Sequence, residues 1–386
     1  MRQTLEKARR FQERLASNFM EREEVAEGIL LALVTRQHVL LLGPPGSAKS
    51  AIIEFAARQV AGARYFRWLF TRFTTPEELF GPVSLQALQE DSYRRKTARK
   101  LPEAEIAFID EIFKANSAIL NAMLSLINER IFFNDGEAMQ VPLISMFAAS
   151  NELPEAEEEA ALRALADRFL LRYIVSYVTS RKSQISLLLQ EEPQPEPILS
   201  LSDLEALHAA ARKVAFPKEA AEALIAIVDA VRREGVEVSD RRMKQCVLLL
   251  QAKALLEGED AVEPEEHFSV LRHALWTSPE QRDVVAQVVI KIANPLEAEI
   301  EEIARAVREA VEAWARETDQ KKKLAALSPL PRAEKQLRAI AAKLPRGSSL
   351  RERAERLIEE IGQQKVRLSD DVLSIAVEHC SPGGRR

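Results

Sequence analysis

The stretch LLGPPGSAKSAII, residues 41–53, joins two segments of different texture. Ahead of the turn, HVLLL (38–42) is an apolar run of strand length; beyond it, AIIEFAARQV (51–60) has helical spacing. Strand, glycine turn and helix in that order are the context in which G-x-x-x-x-G-K-[ST] cradles phosphates. Such a loop turns its backbone N–H groups inward, and the following helix presents its positive end to the anion. The candidate binding residues are Gly43, Pro44, Pro45, Gly46, Ser47, Ala48, Lys49, Ser50 and Ala51. Gly43 and Gly46 can supply the tight conformations, Lys49 would reach the β- and γ-phosphates, and Ser50 would lend its hydroxyl to magnesium. The usual pattern has glycine where this chain has Ala48. Because Ala48 enters the helix, a negative φ is expected there; a left-handed conformation would cost about 1–2 kcal/mol.

Further along, RYFRWLF (64–70), EIAFI (105–109), PLISMFAA (142–149) and LLRYIVSY (170–177) join HVLLL as five candidate strands. The segments between them are long enough for crossover helices, which argues a parallel sheet with helices on both faces, an α/β fold. The third run ends in Asp110-Glu111. Asp110 there could hold magnesium, and Glu111 could polarise an attacking water as general base. The fourth run ends in Ser150-Asn151, where an amide can orient that water or bind the γ-phosphate. Asparagine in a turn is common for backbone reasons, so its weight comes from order and spacing.

The first 36 residues read as two helices, the second with Val25, Ile29, Leu30 and Leu33 on one face. EEPQPEPILS (191–200) holds three prolines and reads as a hinge between a core at 1–190 and an all-α lid at 198–290. In the lid, Ser202 with Glu205 is a candidate capping box, Pro217 could start a helix that Gly235 ends, and Ser239 could cap another that Gly258 closes. Residues 291–386 carry three narrow apolar stripes, at Leu296–Trp314, Leu337–Leu344 and Leu350–Ile361, as expected of a helical extension forming a hairpin or small bundle.

At 386 residues the chain is long enough for two or three domains. Its formal charge of -5 gives no global reason to expect nucleic-acid binding. Two cysteines, Cys246 and Cys380, supply neither a disulfide framework nor a zinc ligand set. The N-terminus mixes charge with Leu5, Ala8, Phe11 and Leu15 at helical spacing, unlike a signal peptide, and no apolar run reaches the roughly 18 residues of a membrane span. A cytoplasmic location is expected.

Several longer stretches carry a specific resemblance: LLGPPGSAKS (41–50), TRFTTPEELFGPVSLQAL (71–88), LPEAEIAFIDEIFKANSAILNAMLSLINER (101–130), AASNELPEA (148–156), DRFLLR (167–172) and VSDRRMKQ (238–245). In this order they resemble the MoxR family of AAA+ ATPases, and within it the RavA branch, which also has alanine before the loop lysine. The resemblance covers about the first 290 residues. It implies an AAA+ P-loop core and helical lid, ATP and Mg2+ as cofactors, and a ring, typically hexameric, with nucleotide between subunits. It further implies Asp110-Glu111 as Walker B, Asn151 as sensor 1 and Arg241 as sensor 2, reaching from the lid to the γ-phosphate, with Arg242 the neighbouring alternative. An arginine finger acting across the interface is also implied; Arg168 is the choice and Arg163 the runner-up. Protein clients and a von Willebrand factor A-domain partner go with the family. RavA-like proteins add a β-rich module near the C-terminus, whereas this chain has only amphipathic helices there.

Two insertions go with the resemblance. RRKTARK (94–100) is a basic loop, either simply solvated or facing a partner, and Asn134-Asp135-Gly136 has the chemistry of a hairpin turn. Competing expectations are a slow nucleotide-gated scaffold and a nucleic-acid motor, the latter disfavoured by the acidic balance and by the lack of interleaved aromatic and basic residues.

Overall fold

The computed structural model describes residues 1–153, 160–190, 194–316, 327–344 and 349–379. Contacts gather the chain into two compact units, Met1–Val289 and Ile290–Arg386.

Two helices open the first unit, α1 (Arg2–Asn18) and α2 (Glu23–Thr35). α1 buries Ala8, Phe11 and Leu15, the expected stripe. α2 is buried over most of its surface rather than on one face, because α1 and lid helices cover the sides that a lone amphipathic helix would leave to water.

The sheet then builds from β1 (Val39–Leu42), which leads into α3 (Lys49–Arg58), a two-residue β2 (Val60–Ala61) and β3 (Tyr65–Leu69). α4 (Pro76–Phe80) and α5 (Leu85–Gln89) precede β4 (Ile106–Asp110) and α6 (Ser117–Glu129). A hairpin of β5 (Ile131–Asn134) and β6 (Glu137–Gln140) follows, then β7 (Ser145–Ser150), α7 (Ala160–Asp167), β8 (Leu171–Ile174) and α8 (Arg181–Leu189). The strand order is β3-β4-β7-β1-β8, all parallel. Central β1 is wholly buried, which is why VLLL is apolar throughout instead of alternating. Register places Leu42 beside Ser150 and Ile174, so the C-terminal ends of β1, β4 and β7 share one edge. That edge is where open parallel sheets bind ligands.

All the sheet strands except β4 are shorter than their apolar runs: β7 starts only at Ser145, and β8 stops at Ile174. A short pair unseen in the sequence, β2 with β9 (Leu199–Ser200), ties the end of the proline-rich segment to the core; that segment's first residues, 191–193, lie outside the described set. The lid continues with α9 (Leu201–Ala211), α10 (Lys218–Arg233), α11 (Asp240–Glu257), the short α12 (Pro264–His267) and α13 (Arg282–Ala293). The capping box of α9 is two residues earlier than expected. Ser200 Oγ accepts from Asp203 N, and the Asp203 carboxylate accepts from Ser200 N, because β9 delivers the chain extended at Ser200 and leaves Ser202 inside the first turn. Pro217 and Ser239 do precede α10 and α11, and Gly258 closes α11 in the left-handed region.

In the second unit α14 (Pro295–Arg316), α15 (Pro329–Lys343) and α16 (Ser349–His379) pack their stripes together. Ile300, Ile303, Leu330, Leu337, Ile340, Ala354 and Ile361 form its core. No described helix is long and apolar enough to cross a membrane.

Candidate functional site

The loop after β1 is shaped by backbone conformation. Gly43 has φ +151°, Gly46 +79° and Ala48 +67°. A Cβ on Gly43 would meet the Val175 carbonyl oxygen at 2.1 Å, so only glycine passes this close to β8. Ala48 is left-handed, with ψ 18°, immediately before α3, contrary to the expected negative φ. Turning successive N–H groups toward one point requires left-handed residues along the loop, and that demand overrides the local preference of alanine.

Lys49 lies in the concavity, its Nζ donating to the carbonyls of Gly43 (2.6 Å) and Pro44 (2.7 Å). Burial lowers its pKa, while the carboxylates of Asp110 and Glu111 act in the opposite sense. Ser50 is the second residue of α3, at the helix's positive end. Tyr177 closes the rim, its hydroxyl donating to Pro45 O at 3.1 Å.

Asp110 ends β4, and Glu111 takes a left-handed turn (φ 54°) that sets its side chain back over the sheet edge. Glu111 Oε1 accepts from Asn151 Nδ2 at 2.8 Å, and Glu111 Oε2 pairs with Lys114 Nζ at 3.2 Å. The expected base and the expected amide are therefore in direct contact. Lys114 was missed by sequence reasoning, although the three-residue spacing in EIFK was its signal. A cavity of about 490 Å³ opens here, lined by Arg72, Glu111, Lys114, Asn116, Ser150 and Asn151.

The donor set fits a magnesium triphosphate: an ammonium held at the loop, a hydroxyl in the first turn of α3 and a carboxylate at the end of β4. Ser50 and Asp110 would hold the ion, which supplies charge neutralisation between phosphate oxygens when bound. No cluster of three or more His, Cys, Asp or Glu side chains exists among the described residues. Magnesium bound through one or two protein ligands plus phosphates needs none.

The two expected arginines are elsewhere. Arg168 immediately precedes β8, whose Leu171 pairs with Val39 at the start of β1, so it sits at the N-terminal edge of the sheet. Arg241 Nη2 donates to Asn128 Oδ1 at 2.8 Å, and the adjacent Ile127 carbonyl meets His38 Nε2 at 3.3 Å, again at the start of β1. The four residues of β1, about 13 Å of strand, separate both arginines from the Lys49 loop. In this structure Arg241 is therefore beside Asn128 and not beside Lys49, and the expected contact of a lid arginine with the chain's own γ-phosphate position is not made. Arg242 is buried (2% exposed), its guanidinium spent on the carbonyls of Asp167, Leu170 and Ala274, while Arg241 reaches the surface. Arg163 is exposed on α7.

The two insertions join each other. Asp135 in the β5–β6 turn accepts from Ser92 Oγ (2.5 Å) and Tyr93 N (2.9 Å), and Asn134 Oδ1 accepts from Arg95 N (2.7 Å). Three cations of the basic run are used internally: Arg94 meets Glu137, Arg95 meets Glu77, and Lys100 donates to the Glu78 carbonyl. Phe132 is buried and stacks on Phe80 at 5.3 Å, whereas Phe133 is exposed.

Comparison with known proteins agrees with this anatomy. A model described as the MoxR domain in the MoxR-vWA-beta-propeller ternary systems matches residues 6–197, and an AAA lid domain matches residues 219–289. The uncharacterized protein MJ0812 of Methanocaldococcus jannaschii is 43% identical over 75% of this chain and 76% of its own. Chaperone MoxR1 of Mycobacterium tuberculosis is 27% identical, covering 66% of this chain and 71% of its own. In fold, the crystal structure of a candidate ATPase from Cytophaga hutchinsonii aligns with a TM-score of 0.61 at 18% identity, covering 75% of this chain and 95% of that one. With a P-loop edge, a Walker B pair and a matching lid on one unit, the chain belongs to the MoxR family of AAA+ ATPases.

Proposed function

We propose that this protein is a ring-forming ATPase, hexameric by family resemblance, that hydrolyses ATP at subunit interfaces to remodel or mature client proteins. The reading is carried by one juxtaposition. Lys49, Asp110, Glu111 and Asn151 lie at the C-terminal edge of the sheet, with Glu111 and Asn151 in contact, while Arg168 and Arg241 lie at the opposite edge. Phosphoryl transfer needs cationic charge at the transition state, and an arginine on the far edge can provide it only to an adjoining protomer. Lys49 grips the phosphates, Ser50 and Asp110 would hold Mg2+, Glu111 takes the proton of the attacking water, and Asn151 aligns it. Sensor 2, Arg241, acts on the neighbour as Arg168 does. The matched domain is described from systems with a vWA protein, which supports such a partner here. Ala48 before the loop lysine supports placement in the RavA branch, and the whole is read as acting in the cytoplasm.

Magnesium-dependent phosphate release is expected to vanish in Lys49→Ala, while Glu111→Gln binds ATP and turns over poorly. Arg168→Ala alone is expected to lose about 10³- to 10⁵-fold in rate. Mixed with Glu111→Gln subunits, Arg168→Ala sites gain a native finger and turnover returns; no recovery at any ratio would refute action across the interface.

A further inference from the structure

The segment carrying Arg168, residues 167–170 from the last residue of α7 to the start of β8, is held to the lid by two buried arginines. Arg242 on α11 donates from Nη1 to the carbonyls of Leu170 (3.2 Å) and Ala274 (2.6 Å). Its Nη2 donates to Asp167 O (2.9 Å), Asp167 Oδ1 (3.0 Å) and Phe169 O (3.3 Å). Arg172, equally buried, donates to Trp276 O and, at 3.0 Å, to Ala166 O. Ala274 and Trp276 belong to the lid, Ala166 to Leu170 to the core. The other oxygen of Asp167 receives Arg168 Nη1 at 3.4 Å, so one carboxylate joins the lid arginine to the candidate finger.

Adhesion alone does not account for this arrangement. Apolar side chains of similar volume hold two layers together without the desolvation cost of two adjacent guanidinium ions. A planar fork with five donors instead fixes the position of each carbonyl it meets, and the carbonyls fixed here belong to the residues on either side of Arg168.

We propose that Arg242 is a positioning residue for Arg168: it clamps segment 167–170 to the lid, so that finger and lid move as one body and the finger is aimed by lid position. The proposal rests on the reading of Arg168 as a finger acting across the subunit interface. Arg242→Met removes the fork and keeps much of the volume. A displacement of the finger by about 1 Å costs on the order of 100-fold, so kcat is expected to fall about 100-fold with KM for ATP little changed.

Mixing locates the defect. Arg242→Met subunits retain an intact nucleotide site, so combination with Glu111→Gln subunits, whose fingers are native, restores turnover above the sum of the two alone. Combination with Arg168→Ala subunits does not. Native turnover in Arg242→Met overturns the proposal, as does failure of the Glu111→Gln mixture when Arg168→Ala plus Glu111→Gln recovers. Failure of both mixtures overturns the finger reading with it. Should Arg242→Met lose its cooperative melt, Arg242→Lys, which keeps charge but lacks the fork, is put through the same mixtures with the same expected pattern.

Discussion

At the scale of single residues, Ala48 shows the backbone dictating terms to the side chain. Its φ of +67° costs an L-residue about 1–2 kcal/mol, whereas glycine there would cost about 0.5–1 kcal/mol in unfolded-chain entropy. The difference favours glycine by up to about 1.5 kcal/mol, with a central value near 1 kcal/mol. Ala48→Gly is therefore expected to raise the thermal midpoint by roughly 2 °C, the scale of a 1 kcal/mol change in a large domain. A midpoint that falls in calorimetry would mean the loop is not left-handed there. Lys49 and Ser50 were legible because a fixed motif states their spacing, and Asp110 because it ends an apolar run of strand length. The conformation of Ala48 was not, since its place before a helix argues one way and the inward aim of the loop amides argues the other. Nor was the contact of Asn151 with Glu111, which joins residues 40 apart in sequence.

At the scale of elements, a turn and its partner differ in legibility. Asn-Asp-Gly announces the β5–β6 hairpin by turn chemistry alone, and the strands pair antiparallel around it. That the same turn would latch the 92–95 segment had no local signal, because Asp135 meets Ser92 and Tyr93 across more than 40 residues. The latch makes two insertions one mechanical element. Asp135→Ala is expected to raise amide exchange in 84–95 and 131–140 together, measured by mass spectrometry. A rise confined to one segment would show that they are not coupled. Protonation should mimic the mutation. The Ser92 hydroxyl, then the Tyr93 N–H, hold the Asp135 carboxyl below its usual range. A depressed carboxyl pKa gives a contribution that is complete above the unfolded value of about 3.8 and is lost as pH falls through the lower folded value. Protection corrected for intrinsic exchange should thus be flat from pH 7 to about 5 and decline in the acid range below the unfolded value.

At the scale of the whole molecule, the question is whether the C-terminal helices are needed to hold the ATPase unit together. Their stripes were readable as three helices, since period and caps are local, but the pairing among them was not. Arg353 on α16 meets Glu297 and Glu301 on α14, and Lys365 meets Glu334 on α15, choices made by the packed bundle. Each unit closes a core of its own. Val285 and Val289 on α13 are buried with the first unit, whereas Ile300 and Ile303 are buried with Leu330 and Leu337 in the second. The units divide within α13, between Val289 and Ile290, so a cut that leaves this helix whole falls after it, at Asn294, whose side chain accepts from Glu297 N at the start of α14. Chains of residues 1–294 and 294–386, the second of which keeps that cap, are each expected to unfold cooperatively by calorimetry and circular dichroism. Residues 1–294 should also keep the magnesium-dependent turnover that Lys49→Ala abolishes, because every side chain assigned to that chemistry lies between Gly43 and Arg242. A cut chain that melts cooperatively yet has lost turnover would place an essential contribution of the last helices in assembly of the ring. One that loses its melt would show instead that the first core is incomplete without them.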